Sequence, residues 1–215
     1  MKRTSILAHR GWWKTLEEKN SFQALKRALE AGFGIETDFR DADGRIVISH
    51  DLPDGDSLSA KAFFELYSQL GVSGRLALNI KADGLQSYLV DLISSAHATL
   101  ETMFAFDMSV PDGIQYIEIK FPVYTRLSEF EEDSLLLDRA AGVWLDNFTG
   151  EYPQVAQAKK LLTNGHRVCI VSPELHGRDH LALWDEIAIA KLHKDPLFEL
   201  CTDFPLDAYN CFGTD

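Results

Sequence analysis

Short apolar runs take turns with longer amphipathic stretches along almost the whole chain, a rhythm that βα units around a parallel sheet produce. Eight runs predict strands, at residues 5–8, 34–40, 76–80, 102–106, 116–120, 142–145, 167–171 and 197–201. Helical patterns fall between them at 18–31, 59–70, 86–97, a short piece near Pro111, 129–139, 152–164 and 180–191. Eight strands with intervening helices predict an α/β fold of the (β/α)8 TIM-barrel kind. At 215 residues it is a compact one, since such barrels run from roughly 200 to over 400. A doubly wound sheet would carry a Gly-rich phosphate loop after its first strand, and His9-Arg10-Gly11-Trp12-Trp13 is not one.

Two details depart from a plain barrel. Asp41-Ala42-Asp43-Gly44 is a tight-turn sequence followed by the apolar run 45–49, so a small β-hairpin is expected after strand two, with its return holding His50 over the mouth. After the last strand only 206–212 remains as a helical candidate, so the eighth helix is expected to be shortened or replaced by a loop.

A hydrophobic fraction of 46% is enough to bury one sizeable core, and residues 1–215 are expected to form a single domain. The net charge of −12, without any Lys/Arg-rich run, argues against nucleic acid as a partner. No apolar stretch approaches the roughly 20 residues that span a bilayer, so stable membrane insertion is not expected. Three cysteines at 169, 201 and 211 without metal-type spacing, and no secretory leader pattern, point to a reducing cytoplasm. Nothing in the sequence fixes an oligomeric state.

Polar residues gather where the predicted strands end, the face on which barrels build active sites. His9 and Arg10 follow strand one, Asn79 and Lys81 close strand three, and Asp107, Arg126, Asp146, Glu174 and Asp203 follow later ones. Alternation puts Glu36, Asp38 and Arg40 on one face of strand two, with Ile35, Thr37 and Phe39 on the other. Two neighbouring carboxylates inside a barrel repel one another unless a cation sits between them. A hard divalent ion, Mg²⁺ or Ca²⁺, suits oxygen donors and leaves room for phosphate oxygens. A metal-free ion network with Arg40, Lys81 or Arg10 would also satisfy them. Arg126 is the strand-end residue best suited to grip an anion through two donors.

Leu7-Ala8-His9-Arg10-Gly11, then Glu18 and Asn20, then Gly34-Ile35-Glu36-Thr37-Asp38, then Asp43-Gly44 and Ser49-His50-Asp51 together resemble the glycerophosphodiester phosphodiesterase family, with its HRG, E-N, G-x-E-x-D and H-D motifs. The likeness is dense over the first quarter of the chain. It is thinner at Leu78-Asn79-Ile80-Lys81 and at Cys201-Thr202-Asp203-Phe204-Pro205. The resemblance implies a metal-dependent phosphoric diester hydrolase acting on a small glycerol- or sugar-linked phosphodiester. It implies His9 and His50 as acid and base, and Glu36, Asp38 and the residue at 79 as metal ligands. The family has a carboxylate where this chain has Asn79, which ligates without adding charge. Lys81 and Arg10 are expected to stabilise charge developing on the phosphoryl oxygens. A barrel that binds a phosphorylated metabolite without turnover is the alternative.

Overall fold

Residues 1–53 and 55–213 are described by the computed structural model. Its strands are β1 (Ile6–His9), β2 (Gly34–Ala42), β3 (Arg45–Ile48), β4 (Leu58–Ser59), β5 (Leu76–Ile80), β6 (Met103–Phe106), β7 (Tyr124–Leu127), β8 (Gly142–Leu145), β9 (Arg167–Val171) and β10 (Phe198–Thr202). The helices are α1 (Phe22–Glu30), α2 (Ala60–Leu70), α3 (Gln86–Ser95), α4 (Val110–Glu118), α5 (Gln154–Thr163), α6 (Leu181–Ala190) and α7 (Pro205–Phe212).

Eight of the strands are parallel and run in the order β6-β5-β2-β1-β10-β9-β8-β7. The seam between the two end strands is spanned by the Ala105–Val123 bridge, where the Ala105 N–H donates to the Pro122 carbonyl at 2.9 Å. The architecture is the expected (β/α)8 barrel. β2 and β3 form the expected hairpin, pairing Phe39 with Ile48, and β4 extends it. The eight-residue α7 is the shortened last helix.

Two packed layers follow from the period-2 alternation. Ile35, Phe39, Leu78, Ile80 and Val143 turn outward into the layer beneath the helices. Leu7, Ala77, Phe104, Phe106, Tyr124, Trp144, Cys169 and Cys201 turn inward and fill the barrel. There Phe104 stacks on Tyr124 at 3.6 Å between centroids, and Phe106 on Trp144 at 4.0 Å. Gly142 makes room for this plug: a Cβ there would lie 2.5 Å from the Tyr124 ring. The barrel is therefore a packed floor rather than a pore, and chemistry is confined to its rim.

The chain differs most from the sequence expectation around its fifth βα unit. Residues 116–120, expected as a strand, begin inside α4 and end in a turn at Lys120, whose φ is 62°. The Ser109 hydroxyl caps that helix by accepting from the Asp112 N–H at 3.3 Å, and Pro111 sits in its first turn. These signals outweigh the β-branched content of 117–119. The fifth barrel strand is instead β7.

Residues 129–139, expected as a helix, form turns. Four acids between 129 and 133 would repel one another on a helix, and local side chains take over the backbone donors. The Ser128 hydroxyl accepts from the Phe130 N–H, and the Asp133 carboxylate from the Ser134 N–H.

Candidate active site

The turn after β1 sets the geometry. Arg10 takes a left-handed φ of 57° and Gly11 one of 88°, and a Cβ on Gly11 would lie 2.7 Å from the Ala24 backbone. Only glycine lets this loop lie against α1. α1 starts at Phe22, not at the expected residue 18, because the Ser21 hydroxyl accepts from the Ala24 N–H at 3.2 Å. Residues 16–18 make a short 3₁₀ turn, and Asn20 is thereby left in the loop at a φ of 62°.

Glu36 and Asp38 point into the barrel mouth as predicted, 1% and 0% exposed. Asn79 is the register partner of Asp38 on the adjacent β5. Its amide donates to Glu36 Oε1 at 3.1 Å, and the Arg10 backbone N–H donates to Glu36 Oε2 at 3.3 Å. Asp38 Oδ2 accepts from the Asn20 amide at 2.8 Å and lies 3.2 Å from Arg10 Nε, while Lys81 Nζ lies 3.4 Å from Oδ1. Burial, and next the Asp38 charge, push the Glu36 carboxyl above the usual glutamate range, although His9, Arg10 and Lys81 pull the other way.

His9 Nδ1 lies 2.6 Å from Asp203 Oδ1, so the neutral ring donates from Nδ1 and keeps Nε2 as an acceptor, 3.9 Å from Glu36 Oε2. Lys19 Nζ reaches the other Asp203 oxygen at 3.4 Å and lies 4.7 Å above the Trp13 ring. Trp13 in turn donates to the His9 carbonyl at 3.2 Å. Burial alone would raise the Asp203 pKa. The His9 hydrogen bond, then the His9 and Lys19 charges, hold it below the usual aspartate range. Glu174 anchors the segment by accepting from the Thr202 hydroxyl and from the Asp203 N–H.

His50 follows the return strand of the hairpin, whose Ser49 N–H bonds to the Asp38 carbonyl at 3.1 Å, so that the return runs beside the end of β2. Its side chain is 42% exposed, with Nδ1 2.9 Å from Asp51 Oδ1. It shares a cleft of about 650 Å³ with Arg10, Lys19, Asn20, Phe22 and Leu52.

His9, Arg10, Glu36, Asp38, Asn79 and Lys81 thus form one connected network, with His50 at its open side. Arg126 stands in another. Its guanidinium is held by Asp107 at 3.2 Å and Glu131 at 2.5 Å and lies over Phe148. Beyond that cluster His176 Nε2 pairs with Asp146 at 2.7 Å.

Sequence reasoning gave Asp203 only a strand-end position and a weak motif, and it missed its bond to His9. The T-D-x-P segment was the available signal. Lys19 had none, because it reaches Asp203 only through tertiary packing.

Among the described residues no three His, Cys, Asp or Glu side chains converge as a metal cluster. The oxygen set at the mouth nevertheless suits a hard divalent ion. Asn79 Oδ1 is buried and accepts no hydrogen bond, and beside it lie Glu36 and Asp38 Oδ1, the latter met by Lys81 at 3.4 Å. Buried acceptors left without donors are costly, and a hard cation satisfies such oxygens.

No protein-family model and no curated protein sequence matches the chain. Solved structures do match over nearly its full length. A glycerophosphodiester phosphodiesterase from Parabacteroides distasonis superposes with a TM-score of 0.73 at 18% identity, covering 98% of this chain and 97% of that one. The chain has the fold of the glycerophosphodiester phosphodiesterases. An Oleispira antarctica phosphodiesterase, solved with the product sn-glycerol-3-phosphate, matches at TM-score 0.69 and 16% identity, covering 98% and 97% of the two chains. A Ca²⁺-dependent phosphatidylinositol-specific phospholipase C from Streptomyces antibioticus matches at 0.60 and 10% identity, covering 98% and 96%. At such identities the likeness carries the fold, and the chemistry must be argued from the residues at the mouth.

Proposed function

We propose that this protein is a phosphoric diester hydrolase of the glycerophosphodiester phosphodiesterase type, acting on a small glycerol- or sugar-linked phosphodiester with Mg²⁺ or Ca²⁺. The observation that carries the proposal is the His9–Asp203 pair set beside the buried Glu36, Asp38 and Asn79 oxygens. Glu36, Asp38 and Asn79 would hold the ion, which when bound supplies positive charge to the phosphoryl oxygens.

The residues divide the remaining work. Asp203 fixes the His9 ring so that Nε2 accepts the proton of the attacking oxygen, a water or a substrate hydroxyl whose cyclic product water then opens to the monoester, and the imidazolium that forms is stabilised by the same carboxylate. His50, on the open side, donates to the leaving oxygen, which is a poor leaving group without that proton. Lys81 and Arg10 bring fixed positive charge to the phosphoryl group. Arg126 binds substrate only by exchanging one of its two carboxylate partners for a phosphate oxygen. The three unpaired cysteines fit a reducing cytoplasm, and no helix among the described residues is long and apolar enough to cross a membrane.

The experiment is turnover of a panel of glycerophosphodiesters and sugar diesters with Mg²⁺, Ca²⁺ or chelator. Release of a phosphomonoester that is chelator-sensitive and lost in His9→Ala supports the proposal. A second possibility, a barrel that binds a phosphorylated metabolite without turnover, is favoured by the two cations already on Asp38. Tight, chelator-insensitive binding with no product would establish it and end the first.

A further inference from the structure

The end of the barrel away from the mouth holds a second cavity, of about 590 Å³, where the segments leading into β1, β5, β9 and β10 meet. Lys2, Arg75, Arg167 and Lys194 line it against two carboxylates, Asp195 and Glu199. The chain as a whole carries −12. The cleft beside His50 runs the other way, with Arg10 and Lys19 facing Glu17, Asp51 and Asp56. A local excess of cations on so acidic a protein is the feature to be explained.

Both acids in the cavity are already engaged. Asp195 accepts from the Leu197 N–H at 2.8 Å. Glu199 accepts from the Tyr124 hydroxyl at 2.9 Å and lies 2.9 Å from Arg75 Nε. Arg75 is committed as well, since its other nitrogens donate to the Glu101 carbonyl at 3.1 Å and to the Tyr124 hydroxyl at 3.0 Å. Arg167 is different. It is partly exposed and touches Glu199 only through Nη1, at 3.5 Å. Lys2 and Lys194 are exposed and make no ion pair among the described residues. The Ser5 and Ser73 side chains line the same space.

We propose that this cavity binds a compact, multiply charged phosphate anion, such as a phosphorylated small molecule, with Arg167 as the planar grip and Lys2 and Lys194 as flanking charges. A guanidinium pairs with phosphate through two parallel donors, and ammonium groups add charge without demanding geometry. A long polyanion is disfavoured, because beyond the cavity it meets the acidic remainder of the surface. The site lies at the opposite end of the barrel from His9 and stands apart from the reaction proposed there.

Inorganic pyrophosphate is the probe, measured by titration calorimetry at fixed ionic strength with thermal unfolding as a second readout. Binding should be retained in Arg10→Ala, which disables anion capture at the mouth. It should weaken by about tenfold or more in the Lys2→Glu/Lys194→Glu double variant, since the two lysines hold no ion-pair partner among the described residues. Arg167→Gln should also lose affinity, and Arg167→Lys should recover part of it. Pyrophosphate should raise the unfolding temperature of the unmodified protein and not that of the double variant. No binding, undiminished binding in the double variant, or loss of binding in Arg10→Ala would overturn the assignment.

Discussion

The two ends of this barrel each bury a glutamate, and they treat it differently. Burial pushes both Glu36 and Glu199 above the usual glutamate range. At the closed end Glu199 meets Arg75 at 2.9 Å, Arg167 at 3.5 Å and the Tyr124 hydroxyl, so charge answers charge inside the protein. At the mouth Glu36 receives an amide and a backbone N–H, both neutral, while the cations Arg10 and Lys81 are turned onto Asp38. The neighbouring Asn79 Oδ1 is buried with no hydrogen bond and, among the described residues, no cation on it. A carboxylate matched by guanidinium groups serves stability, whereas one left beside a second carboxylate and a bare amide oxygen is prepared for something from outside.

The strongest way to break this contrast is at the proton-transfer group. His9→Ala should lower diester turnover per folded molecule by about 10³-fold, and should also lower the unfolding temperature because Asp203 keeps only Lys19, assayed on one preparation by steady-state kinetics and a melt. An active variant would make the mouth merely structural.

At the other end, Glu199→Gln should destabilise by about 3 kcal/mol in denaturant titration, because it leaves Arg75 buried without its counter-charge. Turnover per folded molecule should be unchanged. If activity falls and stability does not, the roles assigned to the two ends are reversed.

Asp203→Asn should reduce turnover by about 10- to 100-fold by loosening the His9 ring. The same variant tests the acid limb of the stability curve. Because the folded state holds Asp203 below the ordinary aspartate value of about 3.9, its contribution is present above that pH and is lost as pH falls through the folded value. The variant should therefore lose stability at neutral pH and show a flatter acid limb than the unmodified protein.

The smallest effect has the opposite sign. Glu36→Gln should stabilise by about 1 kcal/mol at neutral pH, since it removes a buried charge beside Asp38, and it should also abolish any rise in unfolding temperature on adding Mg²⁺ or Ca²⁺. In the unmodified protein the raised Glu36 value makes the native state the tighter proton binder. Its contribution therefore grows as pH falls from the folded value toward about 4.3, and the variant should lack that slope. Destabilisation by Glu36→Gln would mean that its charge is compensated as well as that of Glu199.

Much of the site was legible because it lies on regular strands. Glu36 and Asp38 share a face by alternation, and a turn sequence of four residues was enough to bring His50 back beside them. Asp203, Lys19 and the Arg126 cluster were harder. Asp203 meets His9 across 194 residues, and Lys19 meets Asp203 across 184. Arg126 read as an anion grip at a strand end, but the 129–139 segment, expected as a helix, turns back and places Glu131 on it.

Alternation, turn chemistry and capping are local properties, so most of the βα units, the hairpin, the brief last helix and the inward face of β2 could be read from residues near one another in the chain, while the fifth unit could not. Partnership is not local. Which cation rests on which carboxylate, which imidazole nitrogen stays open, and which oxygens go without a donor depend on strands that are distant in sequence and adjacent in the closed barrel. Electrostatic energy depends on those separations and on the water excluded between them, and only folding fixes either.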